Sequence, residues 1–263
     1  MKLNEEEIRD YWRNQAITFA EDHRASWTDV HAINLEIAEI SKRLRNGTRV
    51  LDIGCANGFS TVNYAQRFRI DIKGIDYIPE MIAAANQRLG TQAGGLMGTV
   101  TFATGDITAL DEPNGCYDTA IVTRVIINFA QREKQIAAIR EAARTVKVGG
   151  ALLLSEATRE GLQRLNSFRS EWGLQPIPEP PFNNYVDEEL TRTAAPDLLD
   201  LEEISNFAST YFIGTRVLKP LLAGAIGNGV DPARAEMEWN RFFSLLPTAG
   251  DYGTQKLFVF RRR

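Results

Sequence analysis

The sequence predicts an α/β fold in which an open sheet carries helices on both faces. Two observations lead there. An apolar run, Val50, Leu51 and Ile53, breaks into a glycine-bearing loop and is followed at once by Phe59–Ala65, which has helical character. Strand, loop and helix in that order open a βαβ unit. Further strand-like runs (Ile70–Asp76, Val100–Ala103, Tyr117–Thr123, Ala151–Glu156) then alternate with helical patterns, as a largely parallel sheet requires.

The chain ahead of the sheet reads as two helices. Asn4 caps the first, with Glu5, Glu6 and Glu7 at the positive end of its dipole and Ile8, Tyr11, Trp12, Ala16 and Phe19 on one stripe. Thr28 is placed to cap the second, whose face is Val30, Ile33, Ile37, Ile40 and Leu44, and Asn46–Gly47 stops it. Between them, Asp22–Asp29 packs His23, Ser26, Trp27 and two acids into one loop, either a polar turn or a wall above a ligand.

Asp52 decides what the glycine loop holds. Gly54 and Gly58 let a ligand lie against the main chain. A pyrophosphate would be repelled by the acid just before the loop, whereas a ligand carrying an ammonium would not. The second strand ends in Asp76, an acid placed to take two ribose hydroxyls. Pro79 suits the first turn of the next helix. Gly105–Asp106–Ile107 follows the third strand, and Thr123–Arg124–Val125 ends the fourth. A helix over Arg132–Val146 closes on Lys147–Val148–Gly149–Gly150 before the fifth strand. Beyond it come a proline-rich, aromatic stretch to Ala195, a sixth strand over Leu199–Phe207, helices over Tyr211–Ile226 and Arg234–Leu246, and a last strand over Gln255–Phe260.

The run Asp52–Ile53–Gly54–Cys55–Ala56–Asn57–Gly58 resembles the first motif of the class I S-adenosylmethionine-dependent methyltransferases, with Ala56 where the family has its middle glycine. Asp76, Asp106, Thr123 and Lys147–Leu154 follow at family spacing. The resemblance implies a Rossmann-like seven-stranded methyltransferase sheet with an N-terminal helical arm and helical lid inserts. It implies S-adenosyl-L-methionine as cofactor and S-adenosyl-L-homocysteine as product. Asp52, Gly54, Cys55, Ala56, Asn57 and Gly58 would form the cofactor loop, and Asp76 would hold the ribose. Tyr77, Ile78, Met81, Asp106 and Ile107 would surround the adenine, Thr123, Arg124 and Val125 would close the pocket, and Tyr11 and Trp12 would cover it.

Methyl transfer asks mainly for positioning, and a hydroxyl acceptor also for a base. His23 and Glu156 are the base candidates. Asn128, Asn166, Arg169, Tyr185, Tyr211 and Arg216 are candidate acceptor contacts. The expected activity is methylation of a small polar acceptor, O-methylation favoured, with a looser resemblance of the inserts to enzymes of bacterial surface-glycan and natural-product biosynthesis. Two alternatives stand beside it. A nicotinamide-dependent oxidoreductase wants Gly-x-Gly-x-x-Gly, which Ala56 and Phe59 break. A binding-only relative is left open by the sequence.

Composition sets the remaining expectations. The chain has 263 residues, 44% hydrophobic and 24% charged, which suits one domain over 1–263: an arm (1–47), a cofactor-binding core (48–156), and inserts with the last two strands (157–263). A net charge of −4 argues against nucleic acid as partner. The two cysteines, Cys55 and Cys116, have no metal-like spacing, and no metal is expected. The first twenty residues lack the apolar core of a signal peptide, and no run reaches a membrane span. A cytoplasmic monomer or homodimer, without membrane partners, is therefore expected.

Overall fold

Seven strands hydrogen-bond in the order β3-β2-β1-β4-β5-β7-β6 in a computed structural model that describes residues 2–227, 229 and 231–263. The strands are β1 (Arg49–Ile53), β2 (Asp71–Asp76), β3 (Thr99–Thr104), β4 (Tyr117–Thr123), β5 (Val146–Ala157), β6 (Leu199–Ser205) and β7 (Gln255–Arg262). The pairs among β1 to β5 are parallel, and β7 runs antiparallel to both of its neighbours. From β1 the chain steps outward to β2 and β3, then returns to the other side of β1 as β4. That reversal leaves a crevice at the carboxyl ends of β1 and β4, the place where open α/β sheets take ligands.

The two-residue period of each strand sorts its side chains between two cores. Leu51, Ile53, Val122, Leu152 and Leu154 pack with Ala138, Ile139 and Ala142 of α5 (Arg132–Thr145). Val50, Ile72, Ile121 and Leu153 pack with Ile33, Ile37 and Ile40 of α2 (Val30–Ser41) and Tyr64 of α3 (Phe59–Arg67). Consecutive residues Leu152, Leu153 and Leu154 are all fully buried, which is why β5 reads as a continuous apolar run.

The first helix, α1 (Glu5–Phe19), is capped by Asn4 as expected, and Glu7 completes a capping box with it. Its apolar stripe splits: Ile8 and Ala16 are buried, while Tyr11 and Trp12 stay half-buried against a cavity. Asp29, not Thr28, caps α2 by accepting from the Ala32 N–H. Pro79 opens α4 (Pro79–Gln92) as expected. Lys147–Gly150 belong to β5 rather than to a helix end, since the strand begins directly at Val146. The segment expected as one helix over Tyr211–Ile226 is α8 (Ser209–Ile213), a π-helical turn (Gly214–Leu218) and α9 (Lys219–Ile226). The indole N–H of Trp239 takes the Gly214 carbonyl at 2.8 Å, and a Cβ on Gly214 would lie 2.0 Å from the Phe243 ring. A side chain reaching into the helical ladder is an ordinary cause of such a bulge.

The inserts take different places. The first holds α6 (Arg159–Glu171), an extended stretch, and α7 (Glu188–Thr193). Its extended stretch meets the arm: the Leu3 N–H donates to Pro181 O at 3.0 Å, and Tyr11 stacks on Phe182 with centroids 4.2 Å apart. Arm and first insert thus roof the carboxyl ends of the strands. The second insert, with α8, α9 and α10 (Glu238–Ser244), instead buttresses α2. The Tyr211 hydroxyl and Arg216 donate to the buried Asp29 carboxylate at 2.6 and 2.8 Å.

Candidate functional site

The loop after β1 is pinned from below. Gly54 and Cys55 N–H groups both donate to Ile75 O of β2, at 2.8 and 2.9 Å. Gly54 has φ +74, and a Cβ there would sit 2.1 Å from Val125 Cγ2, so only glycine lets the β4 turn come this close. Ala56 takes φ +48 without being glycine, a strained state that its N–H bond to Asp76 Oδ2 (2.9 Å) helps to hold.

Asp76 is 8% exposed and accepts from the Ala56 and Ile78 N–H groups at 2.9 and 3.0 Å. Burial pushes its carboxyl up to about 6 despite those two bonds. Asp52 accepts from Thr61 Oγ1 at 2.6 Å, and burial likewise pushes it up to about 6. Both acids line one groove with Gly54, Ala56, Met81 and Thr123. Lone pairs not spent on the backbone remain for donors entering that groove.

The groove continues past Tyr77 into a space walled by Gly105, Asp106, Ile107 and Phe129. Asp106 itself closes an Asx turn, accepting from the Thr108 N–H and hydroxyl at 2.8 Å. Asn128 bridges the roof: it accepts from the Trp12 indole N–H at 3.0 Å and donates to Arg124 O at 3.1 Å. Of the expected cofactor residues, Asp52, Gly54, Cys55, Ala56, Asn57, Asp76, Tyr77, Met81, Asp106, Ile107, Trp12, Thr123, Arg124 and Val125 line these spaces. Gly58 starts α3 in the left-handed region. The Ile78 side chain is corrected to the core, packed with Ala16, Ala25 and Met81, because α1 lies over it; only its N–H serves the groove. Tyr11 lines the adjoining chamber instead of the groove.

That chamber, of about 220 Å³, shares Trp12, Ser26 and Arg124 with the groove. Trp27, Phe182 and Tyr185 form its apolar wall, and Asn183 presents an amide there. Arg124 has φ +55, stacks over Trp27 at 5.1 Å and pairs with Glu36. Glu36 is buried and also accepts from Ser155 and from Gln255. The Asp22–Asp29 loop is thus a wall of the chamber, through Arg24, Ser26, Trp27 and Thr28.

Several expected acceptor-side residues lie elsewhere. Glu156 does not face the chamber. It is fully buried and accepts from the Val125, Ile126 and Ile127 N–H groups at 2.8, 2.8 and 3.4 Å. It is the cradle of the turn after β4, with its carboxyl pushed up to about 8 by burial. His23 lines neither space and sits beside Phe59, its Nδ1 3.3 Å from Asp22 Oδ1. Asn166 clamps the main chain of Ile177, and Arg169 spends its guanidinium on the carbonyls of Gln175 and Arg216. Tyr211 and Arg216 serve Asp29. Each long polar side chain found a backbone or carboxylate partner that sequence spacing does not reveal. Asn128 lies in the groove roof, and Tyr185 lies in the chamber. Sequence reading missed Phe59, Ser60, Gln15 and Phe129 as lining residues; nothing in their local pattern marks them. Among the described residues no group of three metal-ligating side chains forms, and no helix is long and apolar enough to cross a membrane.

Residues 50–150 match the family model described as "Methyltransferase domain". Ajmaline N-methyltransferase of Rauvolfia serpentina is 30% identical over 136 residues, which is 50% of this chain and 44% of that protein. Phosphoethanolamine N-methyltransferase 3 of Arabidopsis thaliana is 29% identical over 116 residues, 44% of this chain and 22% of that one. The chain therefore spans less than half the length of these two relatives. A crystal structure of magnesium protoporphyrin IX methyltransferase from Synechocystis PCC 6803, with bound S-adenosylhomocysteine, superposes with a TM-score of 0.62 at 18% identity, covering 99% of this chain and 100% of that one. That likeness speaks for the fold. Motif order, strand order and the matched segment agree: residues 50–150 are similar to the methyltransferase domain of the class I S-adenosylmethionine-dependent methyltransferases.

Proposed function

We propose that this chain is a methyltransferase that uses S-adenosyl-L-methionine to methylate a small polar acceptor at oxygen. One observation carries the reading: a groove lined by Asp52, Gly54, Ala56 and Asp76 opens, at Trp12 and Arg124, into an aromatic chamber. The groove's chemistry fits the cofactor. Asp76 keeps lone pairs for ribose hydroxyls, and its raised pKa marks a carboxylate short of donors. Asn57 is fully buried, lines the groove, and has an Oδ1 with no hydrogen-bond partner; an ammonium would satisfy it. Tyr77, Ile107 and Phe129 offer faces to adenine.

When bound, the cofactor supplies an activated methyl group on a sulfonium. The chain's residues then position, enclose and exclude water. Arm and first insert form the enclosure through the Tyr11–Phe182 stack and the Trp12–Asn128 bond. The second insert holds the Trp27 wall from behind through Asp29. Arm, core and inserts share continuous cores, which supports their acting as one domain. Oxygen is favoured over nitrogen because the chamber offers guanidinium, hydroxyl and amide groups and no carboxylate to draw in an ammonium. A setting in surface-glycan or natural-product biosynthesis rests on the sequence resemblance of the inserts alone.

Calorimetric titration with S-adenosylhomocysteine and, separately, NAD tests the reading. Micromolar binding of the first and none of the second is expected. Binding of NAD alone would overturn it in favour of an oxidoreductase, and S-adenosylhomocysteine binding without turnover on any acceptor would favour a binding-only role.

A further inference from the structure

The chamber's lining lacks a group that could take a proton. Among the described residues that line it there is no aspartate, glutamate, histidine, lysine or cysteine, and both charged residues are arginines, Arg24 and Arg124. Its two phenols are held in the protonated form: burial pushes Tyr185 up to about 12 and also raises Tyr11. His23 and Glu156, the two candidate bases, lie outside it. A neutral hydroxyl arriving here would find nothing to deprotonate it, and an ammonium would find no carboxylate in the lining.

The arginines have donors to spare. Glu36 occupies only Nη1 of Arg124, and Nε and Nη2 of that guanidinium make no hydrogen bond to the described residues. Asp22 occupies Nε and Nη2 of Arg24 and leaves Nη1. Arg124 is also the charged residue common to the chamber and the cofactor groove, so its free edge stands where the two spaces join. A planar fork of donors at the junction, within aromatic walls, is how a carboxylate on an apolar body is recognised.

Resting on the methyltransferase reading, we propose that the acceptor is a small aromatic or otherwise planar carboxylic acid, methylated on its carboxylate to give a methyl ester. One carboxylate oxygen is held by Arg124, with Arg24 as the chamber's second guanidinium facing the acid, and the other attacks the sulfonium methyl carbon. The new O–C bond forms as the C–S bond breaks, the electron pair stays on sulfur as the thioether of S-adenosylhomocysteine, and no proton moves. The step therefore asks for no base, which accounts for a site built without one.

The test uses the full chain saturated with S-adenosylhomocysteine and four matched probes: phenylacetate, phenylacetamide, 2-phenylethanol and 2-phenylethylamine, with benzoate and indole-3-acetate as further acids. Acids are expected to bind at least about tenfold more tightly than the amide, as a charge-assisted pair predicts, and the amine not at all. Turnover with methyl-labelled S-adenosylmethionine is expected to give a product that releases volatile labelled methanol in mild base, as esters do and ethers and N-methyl amines do not. Arg24→Gln and Arg124→Gln are each expected to weaken acid binding about tenfold or more while leaving the amide where it was. Arg124→Gln strands buried Glu36 and can unfold the chain; Arg24, on an exposed side chain, keeps the test decisive. A base-stable product, an amine or alcohol that binds as well as the acids, or no acid binding up to about 10 mM by a protein that does bind S-adenosylhomocysteine, would overturn the proposal. Failure to bind S-adenosylhomocysteine at all would instead sink the methyltransferase reading beneath it.

Discussion

Asp76→Ala is the perturbation that bears most directly on the cofactor groove. The wild-type carboxylate is 8% exposed and uses two acceptor positions on the Ala56 and Ile78 N–H groups. Its remaining positions are those proposed for the ribose hydroxyls. Each hydrogen bond to a charged group is worth about 1.5–3 kcal/mol, and the two share one carboxylate, so they do not add in full. A loss of about 3 kcal/mol is expected, roughly a hundredfold in Kd. Protonation gives an independent reading of the same bond. The carboxyl of the free protein is held at about 6, and the ribose donors favour its ionised form. Affinity for S-adenosylhomocysteine should therefore be flat above pH 7 and fall by up to about tenfold per unit below pH 6. Asp52, also at about 6, adds to the slope, so Asp76→Asn should shallow the profile rather than abolish it. Calorimetry from pH 5 to 8 on the three proteins reads both effects. The sign for folding is opposite. Asp76 sits above its ordinary value, so the stability it contributes is full below about 4 and lost as pH rises through about 6; acid does not unfold the groove through this group. A Kd for Asp76→Ala within threefold of wild type at pH 7.5 would refute the assignment.

Three further outcomes separate binding from scaffolding. Glu156→Gln should keep turnover within about tenfold, because an amide oxygen can still accept from Val125 and Ile126, whereas loss of a general base costs about 10²–10⁴; Glu156→Ala, stranding the buried Ile126 and Ile127 N–H groups and the part-buried one of Val125, should destabilise by roughly 3 kcal/mol in urea unfolding. Gly54→Ala, whose Cβ would meet Val125 at 2.1 Å from a positive φ, should cost about 1–3 kcal/mol and weaken S-adenosylhomocysteine; normal stability and affinity would contradict the packing described. Tyr211→Phe removes one of the donors to buried Asp29 and should lower stability by about 1 kcal/mol with the acceptor's KM unchanged, while a raised KM with unchanged stability would return Tyr211 to the binding site.

The sheet, and most of the residues that line the groove at its strand ends, were legible in the sequence. Local pattern decides both: β1 is an apolar run closing on Asp52 and a tight loop, β2 ends on Asp76, and each motif residue sits within a few positions of its strand's carboxyl end. Parallel topology then brings those ends together without further information. The acceptor side was not legible in the same way. Glu156 stands at a strand's carboxyl end like Asp76, yet the turn after β4 folds back over it and claims its oxygens for backbone N–H groups. Asn166, Arg169, Tyr211 and Arg216 have the chemistry of ligand contacts, but each met a partner far along the chain or in an adjoining loop. The chamber itself is assembled from Trp12, Trp27, Arg124 and Tyr185 on four separate stretches. No sequence period links such residues; only the docking of the arm and first insert over the strand ends decides that two arginines and an aromatic wall, with no carboxylate or histidine, line the chamber.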